Sequence, residues 1–367
     1  MILHLIDDHI AASSFLKGFM ELFPTSNIIM RFCRGGKVEV VKDTAPIVFN
    51  SAKEAMSSID FSLVKVIVVQ LLTTTKSKAI ATYVPRRVPV VWWTYGGDLY
   101  NRVLQREGYE LYSSQTRFFN QTHEKKGLLL KMKMFLYDGL FIKYCDKKVI
   151  ERTEGIIPCL YPDYEQACKW LNKKFELVDV TPWQEILDCP LTRGNNIMIG
   201  HSASLTNNHL YALDILKGME LDDSLITLPL SYNIQSEAYR KEVMRKYRET
   251  YGDKVNFLLE LMDLQTYKKN FLNYKMAIFP CWRQEALGNI FTCIQLGLRI
   301  VMSNHNPCYK YLCDLGFIIS SLEDLRDLKP LVLEEQQKNR SLFIRLKKER
   351  DVQVVNNMKN YFSKYLV

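Results

Sequence analysis

Hydrophobic positions fall in short runs separated by polar turns and by stretches of helical spacing. Met1 to Ile6 is apolar and stops at Asp7-Asp8-His9, and Phe15 to Phe23 repeats at helical intervals; this is a strand, a loop and a helix. Asn27 to Phe32 predicts a second strand, with an edge excursion around Gly35-Gly36. Phe61 to Leu72 contains Val64, Val66, Ile67, Val68 and Val69, a nearly continuous apolar run of the kind buried on both faces. A short helix over Ala79–Tyr83 and a strand over Pro89–Trp93 follow. Strands alternating with helices predict a doubly wound parallel sheet, whose ligands bind outside the carboxyl ends of the strands.

The pattern restarts in the second half. Asn196 to Gly200, Ser224 to Leu230, Val255 to Glu260, Met276 to Phe279 and Arg299 to Met302 predict strands. Helical spacing runs through Leu210–Leu216, Ser236–Tyr251, Tyr267–Tyr274 and a stretch of about two turns ending at Gly297. The expected organisation is an α/β chain of two Rossmann-like domains. Residues 1–183 form the first, 184–195 with Pro190 a linker, and 196–335 the second; a charged helical segment over 336–367 is placed to pack back on the first.

Composition narrows the class. With 47% hydrophobic and 24% charged residues over 367 positions the chain is globular and long enough for two cores. Nine cysteines, none in a C-x-x-C pair, suggest reduced thiols rather than a disulfide framework or zinc. No apolar run reaches the length of a membrane span and the start lacks a signal-peptide pattern, so a cytoplasmic location is expected. The net charge of +9 suits phosphorylated substrates or an anionic membrane surface. No nucleic-acid motif accompanies it, so nucleic acid is not an expected partner. Lys125 to Lys148 carries seven lysines in a chiefly apolar text. It reads either as a connecting helix with snorkelling lysines or as a surface that rests on anionic lipid.

Candidate chemistry sits where the predicted strands end. After the Trp92-Trp93 strand stands Thr94-Tyr95-Gly96-Gly97-Asp98, two glycines for a sharp turn and an acid beside them. Asp98 is the first candidate for a general base and Asp8, after the first strand, the second; a helix cap is the alternative for Asp98. Tyr95, Gly96, Gly97 and Arg152, the last read in a strand-end loop over Glu151–Glu154, are candidates for holding an acceptor. In the second half Gly200, Ser202, Ser204, Thr206, Asn207 and Asn208 form a loop of glycine and hydroxyl residues before a helix, an anion cradle. Gln284, Glu285, Gly288 and Asn289 form another; Glu285 is suited to sugar hydroxyls and Tyr232 to a nucleobase.

In this order, Trp92 to Tyr100, Gly200-His201-Ser202 with Thr206-Asn207-Asn208-His209, Pro229-Leu230-Ser231-Tyr232, Gln284 to Gly297 and Asn304-His305-Asn306-Pro307 resemble glycosyltransferase family 56. These are the TDP-Fuc4NAc:lipid II Fuc4NAc transferases, also labelled 4-alpha-L-fucosyltransferases. The likeness spans residue 1 to about 315 and departs at His201, where the family has Asn, and at Ala203-Ser204, where it has a charged residue.

The resemblance implies a GT-B architecture, two Rossmann-like domains facing a central cleft, with the donor in the second and the acceptor in the first. It also implies metal-independent, inverting transfer of 4-acetamido-4,6-dideoxygalactose from a dTDP donor, with no cofactor. The implied acceptor is an undecaprenyl-diphosphate-linked saccharide, met peripherally on the inner face of the bacterial plasma membrane. Other readings are a GT-B transferase with a UDP or GDP donor, an epimerase on the same fold, and a non-catalytic sugar-nucleotide-binding subunit of a polysaccharide assembly complex.

Overall fold

The structure is a computed structural model, and it describes residues 1–7, 10–32, 47–49, 51–123 and 135–366. Asp8, His9, the Gly35-Gly36 excursion and the first part of the lysine-rich segment lie outside the described residues. The chain divides into two compact units. One comprises Met1–Tyr109, Lys126–Pro182 and Arg350–Val367; the other comprises Glu110–Lys125 and Trp183–Glu349.

In the first unit the strands are β1 (Ile2–Asp7), β2 (Asn27–Phe32), β3 (Ile47–Phe49), β4 (Val66–Gln70), β5 (Val90–Trp93), β6 (Thr153–Ile157) and β7 (Glu176–Leu177). They pair in parallel in the order β3-β2-β1-β4-β5-β6-β7. Order reverses beside β1, which lies between β2 and β4. The helices are α1 (Ile10–Leu22), α2 (Ala52–Ser57) and α3 (Thr74–Tyr83), with α4 (Ser114–His123) belonging to the second unit, then α5 (Lys143–Arg152) and α6 (Tyr161–Trp170). Every residue of β4 and β5 is buried, which is why these strands read as unbroken apolar text.

The second unit repeats the plan with β8 (Asn196–Ile199), β9 (Ile226–Pro229), β10 (Val255–Leu258), β11 (Tyr274–Phe279), β12 (Arg299–Met302) and β13 (Ile319–Ser321). Its order is β10-β9-β8-β11-β12-β13, again parallel, with the reversal between β8 and β11. Its helices are α7 (His209–Leu216), α8 (Glu237–Tyr251), α9 (Leu264–Asn270), α10 (Leu287–Leu296) and α11 (Pro307–Asp314), and α12 (Leu333–Ser363) closes the chain.

Three boundaries differ from the sequence expectation. Residues 110–125 belong to the second unit, because Phe119 of α4 joins its core and Asn208 accepts from the Ser113 N–H at 2.9 Å. The proposed linker is bound to the second unit: Gln184 Nε2 donates to Thr292 Oγ1 at 2.8 Å, and Thr192 Oγ1 donates to the Tyr274 carbonyl at 2.8 Å. Helix α12 passes from one unit to the other at Arg350, later than position 336.

The last turns of α12 are part of the first unit's core. Val354, Met358, Tyr361 and Phe362 pack with Phe19, Trp93 and Val178, and the Phe362 ring meets Phe19 edge-on at 4.8 Å. Arg350 forks onto both Asp179 carboxylate oxygens at 2.5 Å each, the bidentate geometry that fixes direction as well as charge. We therefore expect Phe362→Ala to lower stability by about 3–5 kcal/mol in urea denaturation; a loss under about 1 kcal/mol would show that this helix does not complete the first core.

Candidate functional site

The reversal of strand order in the second unit places the loops after β8 and β11 side by side. The pairing Ile278↔Ile199 brings them together, and the Gly200 N–H donates to the Ile278 carbonyl at 2.8 Å. Gly200 has φ +70°, and a Cβ there would lie 2.7 Å from His209 Nε2 and 2.9 Å from Asn207 Oδ1. Both the backbone angle and the space demand glycine.

The hydroxyl and amide side chains that follow are spent within the loop. Asn207 Oδ1 accepts from the His201 N–H at 2.9 Å and its Nδ2 donates to Ser202 Oγ at 3.0 Å. Ser204 Oγ and Thr206 Oγ1 share a hydrogen bond of 2.8 Å. Asn208, at φ +46°, donates to the Leu111 carbonyl at 3.1 Å. Ser204, Thr206, Asn207 and Asn208 are fully buried and build the loop, so the expectation that they present themselves to a ligand gives way to a scaffolding role. The main-chain N–H groups of 203–208 are likewise taken, for instance Ala203 by the Tyr232 carbonyl at 2.8 Å and Asn207 by the Ser204 carbonyl at 3.1 Å. The Ser202 N–H has no acceptor among the described residues.

The loop after β11 supplies the charge. Glu285 Oε2 accepts from Arg283 Nη2 at 2.7 Å and from Thr206 Oγ1 at 3.1 Å, which ties the two loops together. His201 Nε2 stands 3.9 Å from the same oxygen. Burial lowers the His201 pKa, with Glu285 opposing, and burial together with His201 brings His209 down to about 3. Arg283 also donates to the Gln284 carbonyl at 2.6 Å, while Asn306 holds the loop from the other side by donating to the Arg283 carbonyl at 2.7 Å.

Among the described residues six buried polar atoms here lack a hydrogen-bond partner: Glu285 Oε1, Gln284 Oε1, Arg283 Nε, His201 Nδ1 and both ring nitrogens of His209. Unmatched groups of this kind cost free energy unless a ligand or water completes them. The sequence analysis gives neither Arg283 nor His201 a site role; each is adjacent to a residue that has one, and the available signal is a charged or titratable side chain beside a strand-end turn.

Helix α10 opens from Ala286, a non-glycine residue at φ +61° that offers no side-chain cap, so the first-turn amides of Leu287, Gly288 and Asn289 have no capping side chain. An uncapped N-terminus of a ten-residue helix attracts negative charge. A Cβ on Gly288 would meet only Gln184 Oε1, at 3.6 Å, so the protein's own packing does not require glycine there. Asn289 donates to the Tyr267 hydroxyl at 3.1 Å. Tyr232, 55% exposed after β9, leaves its ring open to solvent.

The first unit departs from expectation at two residues. Asp98 is only 4% exposed; its Oδ2 accepts from the Leu72 N–H at 2.7 Å and from Trp92 Nε1 at 2.8 Å, and its Oδ1 from the Tyr95 N–H at 2.8 Å. Three donors and burial make it the fastener of the turn over 94–98, where Gly96 takes φ +77°, and the general-base assignment does not suit it. Arg152 ends helix α5 at the amino edge of β6, not in a strand-end loop, and donates to the carbonyls of Ile80, Val84, Pro85 and Val88. It is a clamp between helix ends, away from the carboxyl edge where ligands bind. Tyr95 donates its hydroxyl to Gln70 Oε1 at 3.0 Å, and Gly97 has open space around it.

Asp98→Asn puts an amide NH2 among N–H donors and removes the charge they share. We expect it to destabilise the protein by about 2–3 kcal/mol in urea denaturation; a variant as stable as the parent would contradict the fastener role.

Residues 182–341 match the family model of the 4-alpha-L-fucosyltransferases, glycosyl transferase group 56. Among solved structures, sucrose-phosphate synthase from Thermosynechococcus elongatus is similar with a TM-score of 0.62 at 9% identity, covering 100% of this chain and 98% of that one. The lipopolysaccharide outer core galactosyltransferase WaaB has a TM-score of 0.57 at 9% identity, covering 99% and 100%. The Anabaena protein HepE in complex with UDP-glucose has a TM-score of 0.55 at 10% identity, covering 99% and 94%. At such identities these neighbours speak to the fold, and the family match speaks to the second unit. The chain has the GT-B fold of these neighbours, and its residues 182–341 are similar to the 4-alpha-L-fucosyltransferases, glycosyl transferase group 56.

Proposed function

We propose that the second unit binds the diphosphate of a dTDP-linked deoxy sugar, Fuc4NAc or a close relative, and that the enzyme passes the sugar to an undecaprenyl-diphosphate-linked saccharide with inversion. The observation that carries the reading is the open first turn of α10 next to the unpartnered Glu285 Oε1 and Gln284 Oε1. Helix amides at Leu287–Asn289 and the Ser202 N–H serve the departing diphosphate, whose negative charge grows as the sugar leaves. Arg283 adds a buried positive charge close by. Glu285 Oε1 accepts from a sugar or ribose hydroxyl, and the exposed Tyr232 ring offers a stacking face for the base. HepE holds UDP-glucose on a similar fold, which supports a nucleotide sugar as the donor class.

A lipid-linked acceptor calls for a membrane-facing surface. No helix among the described residues is long and apolar enough to cross a membrane. Leu136, Tyr137, Leu140, Phe141 and Tyr144 are exposed at helical spacing, and Lys143, Lys147 and Lys148 follow on the same stretch. Exposed apolar side chains with lysines on the same stretch suit a peripheral seat on anionic lipid. Residues 124–134, the rest of that stretch, lie outside the described residues.

Calorimetric titration of the full chain with dTDP, UDP, GDP and CDP tests the donor assignment. We expect dTDP to bind most tightly. Gly288→Val, whose Cβ would meet only Gln184 Oε1 at 3.6 Å, should weaken it by tenfold or more while the thermal midpoint shifts little. Tighter binding of UDP or GDP would reassign the base, and equal dTDP affinity in Gly288→Val would place the diphosphate elsewhere.

A further inference from the structure

The first sheet has a reversal of its own, between β1 and β4, and the residues that end those strands are Asp7 and Gln70. Open parallel sheets receive ligands outside the carboxyl ends at such a reversal. We propose that this edge binds a saccharide hydroxyl of the acceptor, with Asp7 taking its proton as the glycosidic bond forms and Gln70 orienting its oxygen. The proposal rests on the transferase reading above and names the acceptor side of that reaction.

Lys76 explains why the edge is preorganised. It is 0% exposed, and its ammonium donates to Asp7 Oδ2 at 2.7 Å, to the Leu71 carbonyl at 3.1 Å and to the Gln70 carbonyl. A buried ammonium is tolerated only when paired and hydrogen-bonded, so Asp7 is held in one orientation. Leu71 takes φ +53° to aim its carbonyl there, a backbone angle that costs a bulky side chain about 1 kcal/mol or more.

What the network leaves over is one acceptor and one donor. Asp7 is 24% exposed at its side chain, and its Oδ1 has no partner among the described residues. Gln70 is 1% exposed; its Oε1 is taken by the Tyr95 hydroxyl, and its Nε2 has no acceptor. A sugar hydroxyl is one donor and one acceptor, the two bonds that these atoms lack. Asp98, another described acid at this edge, already carries three donors.

The step balances without a further reactant. The acceptor O–H bond breaks as its oxygen bonds to the anomeric carbon, and the proton goes to Asp7 Oδ1. The bond from the anomeric carbon to the diphosphate breaks with its electron pair on the phosphate oxygen.

The test uses the full chain with dTDP-Fuc4NAc as donor and a polyprenyl-diphosphate-linked disaccharide as acceptor. Asp7→Asn keeps an oxygen for Lys76 and should cut kcat for transfer by about 100-fold or more, with calorimetric dTDP affinity within twofold of the parent. Gln70→Ala should raise the acceptor KM by about tenfold and leave the donor KM alone. An Asp7→Asn enzyme that keeps more than a tenth of the parent kcat overturns the proton-acceptor role. Should that variant lose its fold, Gln70→Ala decides alone, and an unchanged acceptor KM sinks the proposal. Failure of the parent to bind any nucleotide would instead sink the transferase reading, so the two failures are distinct.

Discussion

Glu285 bridging to Thr206 is the contact on which the proposed donor site depends. It exists because β8 lies directly against β11 at the point where the strand order turns, so that two loops from neighbouring strands leave the sheet together. One oxygen of the carboxylate is neutralised by Arg283 and fixed by the Thr206 hydroxyl; the other has no hydrogen-bond partner among the described residues. Holding a buried charge half-satisfied is expensive, and the arrangement makes physical sense when a hydroxyl-bearing ligand supplies the missing bond. The first sheet solves a similar problem with Lys76 and Asp7, where the buried cation fixes the acid and leaves its outer oxygen open.

Left-handed backbone occurs at these strand ends. Gly200 and Ala286 flank the donor loops at positive φ, Gly96 shapes the turn that Asp98 fastens, and Leu71 follows β4. Sheets built from fully buried strands such as β4 and β11 are stable enough to hold such turns. The same rigidity keeps the α10 amides aimed at one point, which is what electrostatic help to a departing diphosphate requires.

The alternation of strands and helices was legible in the sequence because parallel strands buried on both faces are continuous apolar text, as in Val66–Val69 and Ala277–Phe279. The strand-end loops were legible too, from Gly200 and from Gln284-Glu285. Side-chain direction was not. Asp98 and Asn208 sit in loops that look ligand-facing, yet each turns inward to satisfy backbone groups that only the folded chain brings near. Arg152 failed for another reason: the end of helix α5 at Glu151-Arg152 reads in the sequence as a strand-end loop, and the residue falls at the wrong edge of the sheet. Asp7 was passed over because Lys76, sixty-nine positions away, is what gives it a fixed role. The excursion over 110–125 into the second unit left no mark in composition at all.

The most direct test of a diphosphate held at the start of α10 is amide hydrogen exchange of the full chain with and without dTDP. The account predicts slower exchange, by tenfold or more, at Leu287, Gly288, Asn289 and Ser202, with little change across 203–208, where the amides are already bonded. Saturating dTDP that leaves Gly288 and Asn289 exchanging as in the free protein would contradict it.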